Sequence, residues 1–563
     1  MTIEDLQQQL IKRKLDAYIV TRNNMFLGQD VLDEENKVLE LCGFSGSAGT
    51  LFVLQHKAFL LVDGRYEIQA QKEVNQEKIT VVCTSDSLGT WLQKNFSYPL
   101  TIAYDPWCHS ISEVEFWHRN LKQHHFIEDT QNTLGSRLSC VEPEIFEHDI
   151  EYTGISVDEK ISYLTNFMQE NKLDAFFISD CDAVSWLLNL RSRTLKHTPV
   201  LRAFALIDKD VEVSLFTSDF NKIETELAKY KGKEIGISPN SCPRRINRLM
   251  KDNNIWMHNL QNPIQKWKAV KNPVELSGFK NAHLKDGIAL CNFLYWLENN
   301  WKDQNELSLV KKLFEFRSQQ PNFKSNSFAT IAAVDANGAI VHYSPSAETN
   351  ANLKNGSLLL LDSGGQYLDG TTDVTRTVAI GNVGNQEIID SYTQVLKAHI
   401  AAASAYFPSG ISGHIIDSLA RAELWKYGKE YKHGTGHGIG HFLNVHEGPF
   451  SLSFHRNQSP LEAGQITSIE PGYYVENQYG IRIENLNYIT PVNDDKFPSA
   501  MLKFTPLTLV PIDKNLINTY LLNTQEIDWL NTYHQLVYSK LAEHLQSETK
   551  KWLAQACAPI QKE

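Results

Sequence analysis

Asp362 closes an apolar run, Leu358-Leu-Leu-Leu-Asp-Ser-Gly-Gly, and Asp373 follows in Asp369-Gly-Thr-Thr-Asp-Val-Thr-Arg-Thr. A carboxylate at the end of an apolar strand is costly to bury unless a cation or a cage of hydrogen bonds receives it. A hairpin across Gly364 and Gly365 would bring both acids onto one face. Two receivers fit: a bound cation, or Arg376 neutralising one acid as an ordinary ion pair. The second piece is His433-Gly-Thr-Gly-His437-Gly-Ile-Gly-His441. It has neither the lysine of a P-loop nor GxGxxG spacing. Its glycines let the backbone pass close to something while histidines point inward, for metal, acid–base or substrate-binding work. The third is Thr467-Ser-Ile-Glu470, an apolar strand ending in an acid and broken by Pro471-Gly472. The fourth is Gly480-Ile-Arg482-Ile-Glu484, read as a strand that alternates Arg482 and Glu484 onto one face.

Four carboxylates and an imidazole beside strand ends balance two divalent ions. Such mixed O/N ligation suits Mn²⁺, Co²⁺, Fe²⁺ or Zn²⁺. Two bridging carboxylates leave room for a shared hydroxide, the two-metal arrangement for hydrolysis.

The elements that position these residues occupy the last third of the chain. Pro273 to Asn299 reads as one long helix with Pro273 and Glu275 in its first turn. Strand runs at 358–362 and 466–469 then alternate with helical patterns at 386–405 and 411–427. The first half repeats itself. A helical pattern from Gln7 leads into Leu15-Asp-Ala-Tyr-Ile-Val, and one from Lys160 leads into Leu173-Asp-Ala-Phe-Phe-Ile. Each copy continues with two strand runs, which predicts two similar α/β domains. The acidic stretch from Val141 to Glu151 reads as the linker between them. The expected domains are 1–150, 151–265 and 266–563, in line with 563 residues at roughly 150 per domain.

The balance of charge narrows the partners. Lys and Arg number 54 against 66 Asp and Glu, a net charge of −12, whereas phosphate binding wants a basic stripe. No nucleic-acid partner is expected. No run reaches the ~18–20 apolar residues of a membrane span, and the first residues lack the pattern of a signal peptide. A cytoplasmic location and free thiols at the eight cysteines, which include no CxxC pair, are therefore expected.

With these motifs in hand, the chain resembles the pita-bread metallopeptidases, the group of methionine aminopeptidase, prolidase and aminopeptidase P. Within it the resemblance is to the large, three-domain cytosolic aminopeptidase P type. It spans essentially the whole chain. It includes Gly43-Phe-Ser-Gly-Ser-Ala-Gly and Asp63-Gly-Arg-Tyr, then Tyr152-Thr-Gly-Ile-Ser and Trp186-Leu-Leu-Asn-Leu-Arg. It continues with Asn337-Gly-Ala-Ile-Val-His-Tyr, the motifs around Asp362, Asp373, His437 and Glu470, and Asn444-Val-His-Glu-Gly-Pro. Phe504-Thr-Pro-Leu-Thr and Asp528-Trp-Leu-Asn-Thr-Tyr-His resemble that type's tail.

The resemblance implies an α/β (α+β) fold, with two creatinase-like N-terminal domains and a pita-bread catalytic domain. It implies hydrolysis of the N-terminal Xaa-Pro bond of short peptides whose second residue is proline, by a metal-bridging hydroxide. The cofactor would be two divalent ions, Mn²⁺ first, with Co²⁺ or Zn²⁺ as alternatives. Asp362 would hold one ion, His437 and Glu470 the other, and Asp373 and Glu484 both. Glu470, His342 and His446 would act catalytically, and His342, His433, His446, Arg482 and Tyr474 would surround the substrate. A homodimer is implied as well; Trp425 fits a subunit contact and a core position equally. His441 departs from the pattern, since relatives carry a small residue there, and is expected to be a surface variation. The rival readings are a prolidase and a non-catalytic peptide-binding protein on the same fold.

Overall fold

The computed structural model describes all residues except 29, 136–142, 455–458, 493, 495–499 and 563. The described chain divides into two compact units. The first comprises residues 1–147, 155–195 and 200–264, and the second 148–154, 196–199 and 265–563.

The first unit holds two large sheets built on one plan. In the first copy the Thr2 hydroxyl caps the helix Ile3–Arg13, which buries Leu6 and Leu10 and delivers the chain into the strand Ala17–Thr21. In the second copy Ser156 caps Val157–Glu170, which buries Ile161, Leu164 and Met168 ahead of Ala175–Ile178. Each of these strands pairs antiparallel on one side, with Thr50–Leu54 or Phe204–Asp208, and parallel on the other, with Thr101–Tyr104 or Glu234–Ile237. The outer strands Ala58–Val62 and Val213–Phe216, then His125–Glu128 and Trp256–Asn259, complete the match. One extra edge strand, Ile79–Cys83, distinguishes the first sheet. The repeat read from the two apolar runs is thus a repeat of topology. The stretch expected as a plain linker carries more structure. Ile145–Glu147 pairs with Leu190–Ser192, and Ile150–Thr153 forms a short helix capped by Asp149; residues 141 and 142 lie outside the described residues.

The longest helix of the second unit, Pro273–Asn300, is closed at its start by a capping box between Asn272 and Glu275. A three-stranded antiparallel sheet carries Ile331–Val334, Leu358–Ser363 and Val374–Ala379 in that order. A six-stranded sheet runs Tyr406–Pro408, Met501–Pro506, Asn485–Pro491, Ile466–Ile469, Gly436–Gly438, Glu447–Leu452. Between its strands in sequence lies a two-stranded ribbon, Gly472–Val475 with Tyr479–Arg482. The helix Gln386–Ala403 buries Tyr392, Val395, Leu396 and Ile400 in one core with Ile469, Ile481, Ile483 and Ile489. That core includes Ile469 and Ile483, the residues that precede Glu470 and Glu484. The seven described cysteines are free thiols, and Cys140 lies outside the described residues.

Candidate metal centre

Each acid is placed by a different strand end. Asp362 sits opposite Thr375 in the antiparallel pair, and Asp373 immediately precedes Val374–Ala379. The link between the two acids is longer than a hairpin across Gly364 and Gly365. Gly365–Tyr367 and Gly370–Thr371 form their own small sheet with Phe323–Asn326 before the chain returns. His437 lies on Gly436–Gly438, where Gly436 is required by space: a Cβ there would stand 2.0 Å from the Ser468 carbonyl oxygen. Glu470 follows Ile466–Ile469, and its amide donates to the Thr435 carbonyl at 2.7 Å. Glu484 is not within a strand as expected. The ribbon strand ends at Arg482 and the next begins at Asn485, so Glu484 occupies the turn between them, its amide donating to the Thr375 carbonyl at 3.1 Å.

These ends converge. Ligand atoms of Asp373, His437 and Glu484 lie within 4.8 Å of one another. His437 Nε2 stands 3.6 Å from Asp373 Oδ2 and 3.4 Å from Glu470 Oε1. Its Nδ1 is 2.9 Å from the Gly438 carbonyl oxygen. That bond puts the ring proton on Nδ1 and turns the Nε2 lone pair toward the acids, the tautomer a metal ligand needs. Asp362 joins through Arg482, whose Nη2 donates to Oδ2 at 2.6 Å. Arg376 is not the partner of either aspartate. It donates to the carbonyls of Pro511, Thr375, Glu484 and Val510, to Asn485 Oδ1 and to the Tyr533 hydroxyl.

The cluster resists its own charge. Burial, then the neighbouring carboxylates, hold the acids of Asp373 and Glu484 well above the ordinary range, and burial raises Glu470. Asp362 Oδ1 and Glu484 Oε1 are buried and accept no hydrogen bond among the described residues. Unsatisfied buried carboxylate oxygens around an oriented imidazole fit divalent cations and fit little else.

The remaining candidates lie around this cluster. The His446 ring meets that of His437 edge-on at 4.3 Å between centroids and is exposed. His433 Nδ1 is 2.8 Å from the Gly434 carbonyl oxygen, so Nε2 accepts from the Tyr474 hydroxyl at 2.8 Å. Tyr474 in turn accepts from Arg482 Nη1 at 2.7 Å. Asp362, Arg482, Tyr474 and His433 therefore form one hydrogen-bonded chain. Half-buried His342 follows Val341, whose carbonyl accepts from Arg482 Nη1 at 3.4 Å. Two residues that motif reading passed over hold the acids in place. The Thr375 hydroxyl donates to Glu484 Oε2 at 2.8 Å, and the Ser468 hydroxyl donates to Glu470 Oε1 at 3.1 Å. Ser468 stands two positions before the acid it holds, so the period of two was a signal that could have found it, whereas Thr375 holds an acid 109 positions away and left no local signal.

Two expectations are corrected. His441 is no surface variation: it is 1% exposed, with Nε2 3.0 Å from the Asp369 carbonyl oxygen. Trp425 is not a core residue: it is 53% exposed and donates from Nε1 to Glu430.

The chain has counterparts among known proteins. Residues 277–491 match metallopeptidase family M24, residues 500–560 match the C-terminal region of that family, and residues 3–134 and 139–231 each match the creatinase/prolidase N-terminal domain. Aminopeptidase P1 of Lotus japonicus is 33% identical over 97% of this chain and 97% of its own length. Xaa-Pro aminopeptidase 1 of Dictyostelium discoideum is 33% identical over 99% of this chain and 97% of its own. The chain belongs to the aminopeptidase P group of metallopeptidase family M24. Among solved structures, the X-prolyl aminopeptidase of Caenorhabditis elegans, described as a cytosolic enzyme with a di-nuclear active site, superposes with a TM-score of 0.91. It is 31% identical, over 97% of this chain and 95% of that one. A prolidase from Pyrococcus horikoshii shares the fold with a TM-score of 0.50 at 23% identity, covering 63% of this chain and 99% of its own. Among the described residues of this M24 chain, no helix is long and apolar enough to cross a membrane.

Proposed function

We propose that this chain removes the N-terminal residue from short peptides with proline in second position, using two divalent ions held by Asp362, Asp373, His437, Glu470 and Glu484. The observation that carries the reading is the convergence of Asp373, Glu470 and Glu484 on His437, with one carboxylate oxygen each of Asp362 and Glu484 left unsatisfied among the described residues. In this reading Asp362 would hold one ion, His437 and Glu470 the other, and Asp373 and Glu484 would serve both; Mn²⁺ is the proposed metal.

Bound there, the ions supply an acidified water and an electrophile for the scissile carbonyl. The protein's own groups do the rest. Glu470 takes the proton of the attacking water and returns it to the proline nitrogen. His446, exposed beside His437, and His342 donate to the developing oxyanion. A bond to proline has no N–H and a fixed φ, so the ring must be held by shape rather than by a backbone donor. His433, fixed through Tyr474 and Arg482, is the proposed wall for that ring. Arg482 also fixes Asp362.

The proposed domains are 1–150, 151–265 and 266–563. A cytoplasmic homodimer is proposed too, supported by the exposed Trp425, Ile415 and Leu419 on the helix His414–Trp425. Equilibrium sedimentation tests the dimer. The activity is tested by chelating the protein, restoring Mn²⁺, Co²⁺ or Zn²⁺ in turn, and offering Arg-Pro-Pro beside Arg-Pro. Release of arginine from the tripeptide alone is expected. Cleavage of the dipeptide alone would make the chain a prolidase, and no cleavage with any ion would leave a peptide-binding protein.

A further inference from the structure

Two segments connect members of the cluster. One is the excursion 363–372 between Asp362 and Asp373, and the other is the loop 438–445 between His437 and His446. They are joined at two points. His441 Nε2 lies 3.0 Å from the Asp369 carbonyl oxygen, and Gln366 Nε2 donates to the Leu443 carbonyl at 2.8 Å. Both side chains are buried.

The turn that His441 grips is held from several directions. His148 Nε2 is 2.7 Å from the adjacent Leu368 carbonyl oxygen, and its ring lies 5.7 Å from that of His441. Lys285, on the long helix, pairs with the Asp369 carboxylate at 2.5 Å. The same helix opens a gap for the contact at Gly278. A Cβ there would stand 2.3 Å from the Asp369 oxygen and 3.0 Å from His441 Nε2. Phe442, next to His441, holds φ at 48°, a left-handed conformation that costs a non-glycine residue free energy. Strain, a glycine gap and two imidazoles on successive carbonyls converge on a turn four residues ahead of Asp373.

We propose that His441 is a positioning residue that ties the histidine loop to the carboxylate excursion and so sets the spacing of His437 and Asp373. In this role it acts through His437 and Asp373. The inference rests on the metal-centre reading above. A buried imidazole that only fills space would need its shape and no donor; a tie needs the donor at Nε2. Partners that orient metal ligands alter metal affinity by about ten- to a hundredfold when removed.

The test is metal binding by calorimetry on chelated full-length protein, comparing wild type, His441→Leu and His441→Gln. Glutamine places an amide N–H near the position of Nε2; leucine fills the space without one. Mn²⁺ affinity is expected to fall by roughly ten- to a hundredfold in His441→Leu and to return toward wild type in His441→Gln. Unchanged affinity in His441→Leu, or an equal loss in both variants, would overturn the tie. Should His441→Leu fail to fold, Gln366→Met decides by breaking the parallel link: weakened Mn²⁺ binding supports the tie and wild-type binding overturns it. A wild-type protein that binds no ion would instead sink the metal-centre reading itself, so the two failures are distinct.

Discussion

Replacing Thr375 by valine keeps the outline of the side chain and removes one hydroxyl. That hydroxyl donates to Glu484 Oε2 at 2.8 Å and accepts from Arg482 Nε at 3.2 Å, all within the buried cluster. Glu484 Oε1 already lacks a hydrogen bond, so the variant leaves this carboxylate with none from the side chains described. Hydrogen bonds to charged groups contribute about 1.5–3 kcal/mol each, so two give an upper bound of about 6 kcal/mol. The metal-free protein loses less than that, because Glu484, already held well above the ordinary range by burial, can stay protonated. A metal-loaded protein has no such escape, since the ligand must be ionised. The affinity for divalent ions should therefore fall by about ten- to a hundredfold, or about 1.4–2.8 kcal/mol. Thr375→Ser keeps the hydroxyl and should keep the affinity. Calorimetric titration of chelated protein with Mn²⁺ measures both. Wild-type affinity in Thr375→Val would refute the claim that this hydroxyl aims Glu484.

Asp373→Asn should abolish turnover and reduce bound metal below two ions per chain by elemental analysis; full activity would sink its assignment as a bridging ligand. The pH dependence has a definite sign. Asp373, Glu484 and Glu470 are raised from 3.8, 4.5 and 4.5 by burial, so the folded chain holds their protons more tightly than the unfolded one. Their contribution to stability is full below those ordinary values and is lost as pH rises through the native ones. Divalent ions offset the repulsion that follows. The melting-temperature gap between loaded and chelated protein should therefore widen from about pH 5 to about pH 8, and a constant or narrowing gap in scanning calorimetry would contradict the reasoning.

The strand ends at Asp362 and Glu470 were legible because an apolar run that stops at an acid is a local signal, and both acids stand where that signal puts them. The repeated α/β plan was legible for the same reason, through helices and strands of matching order. What escaped was non-local. Arg482 and Glu484 look like one strand by alternation, yet the chain leaves the ribbon between them to join another sheet, a change set by pairing with Thr375 and Thr377 more than 100 positions away. Arg376 looks like a neutralising partner because it neighbours Asp373. Its six acceptors come from carbonyls and side chains as distant as Tyr533, which no short window contains. His441 seemed free to vary because its partner is a backbone carbonyl, and carbonyls leave no mark in a sequence.

The bond between Arg482 and Asp362 spans 120 residues of chain. Ions shared by Asp362, Asp373, His437, Glu470 and Glu484 would close loops of that order, as a disulfide does, and loops this long remove much of the freedom of an unfolded chain. The centre is then a fastening as well as a reaction site. The same ligands that organise the chemistry would also join three sheets into one cooperative body, and chelation would loosen their seams before it unfolded the core. Proteases given the chelated protein would find their first cuts at the turns after Asp362 and Glu470, far from the ends of the chain.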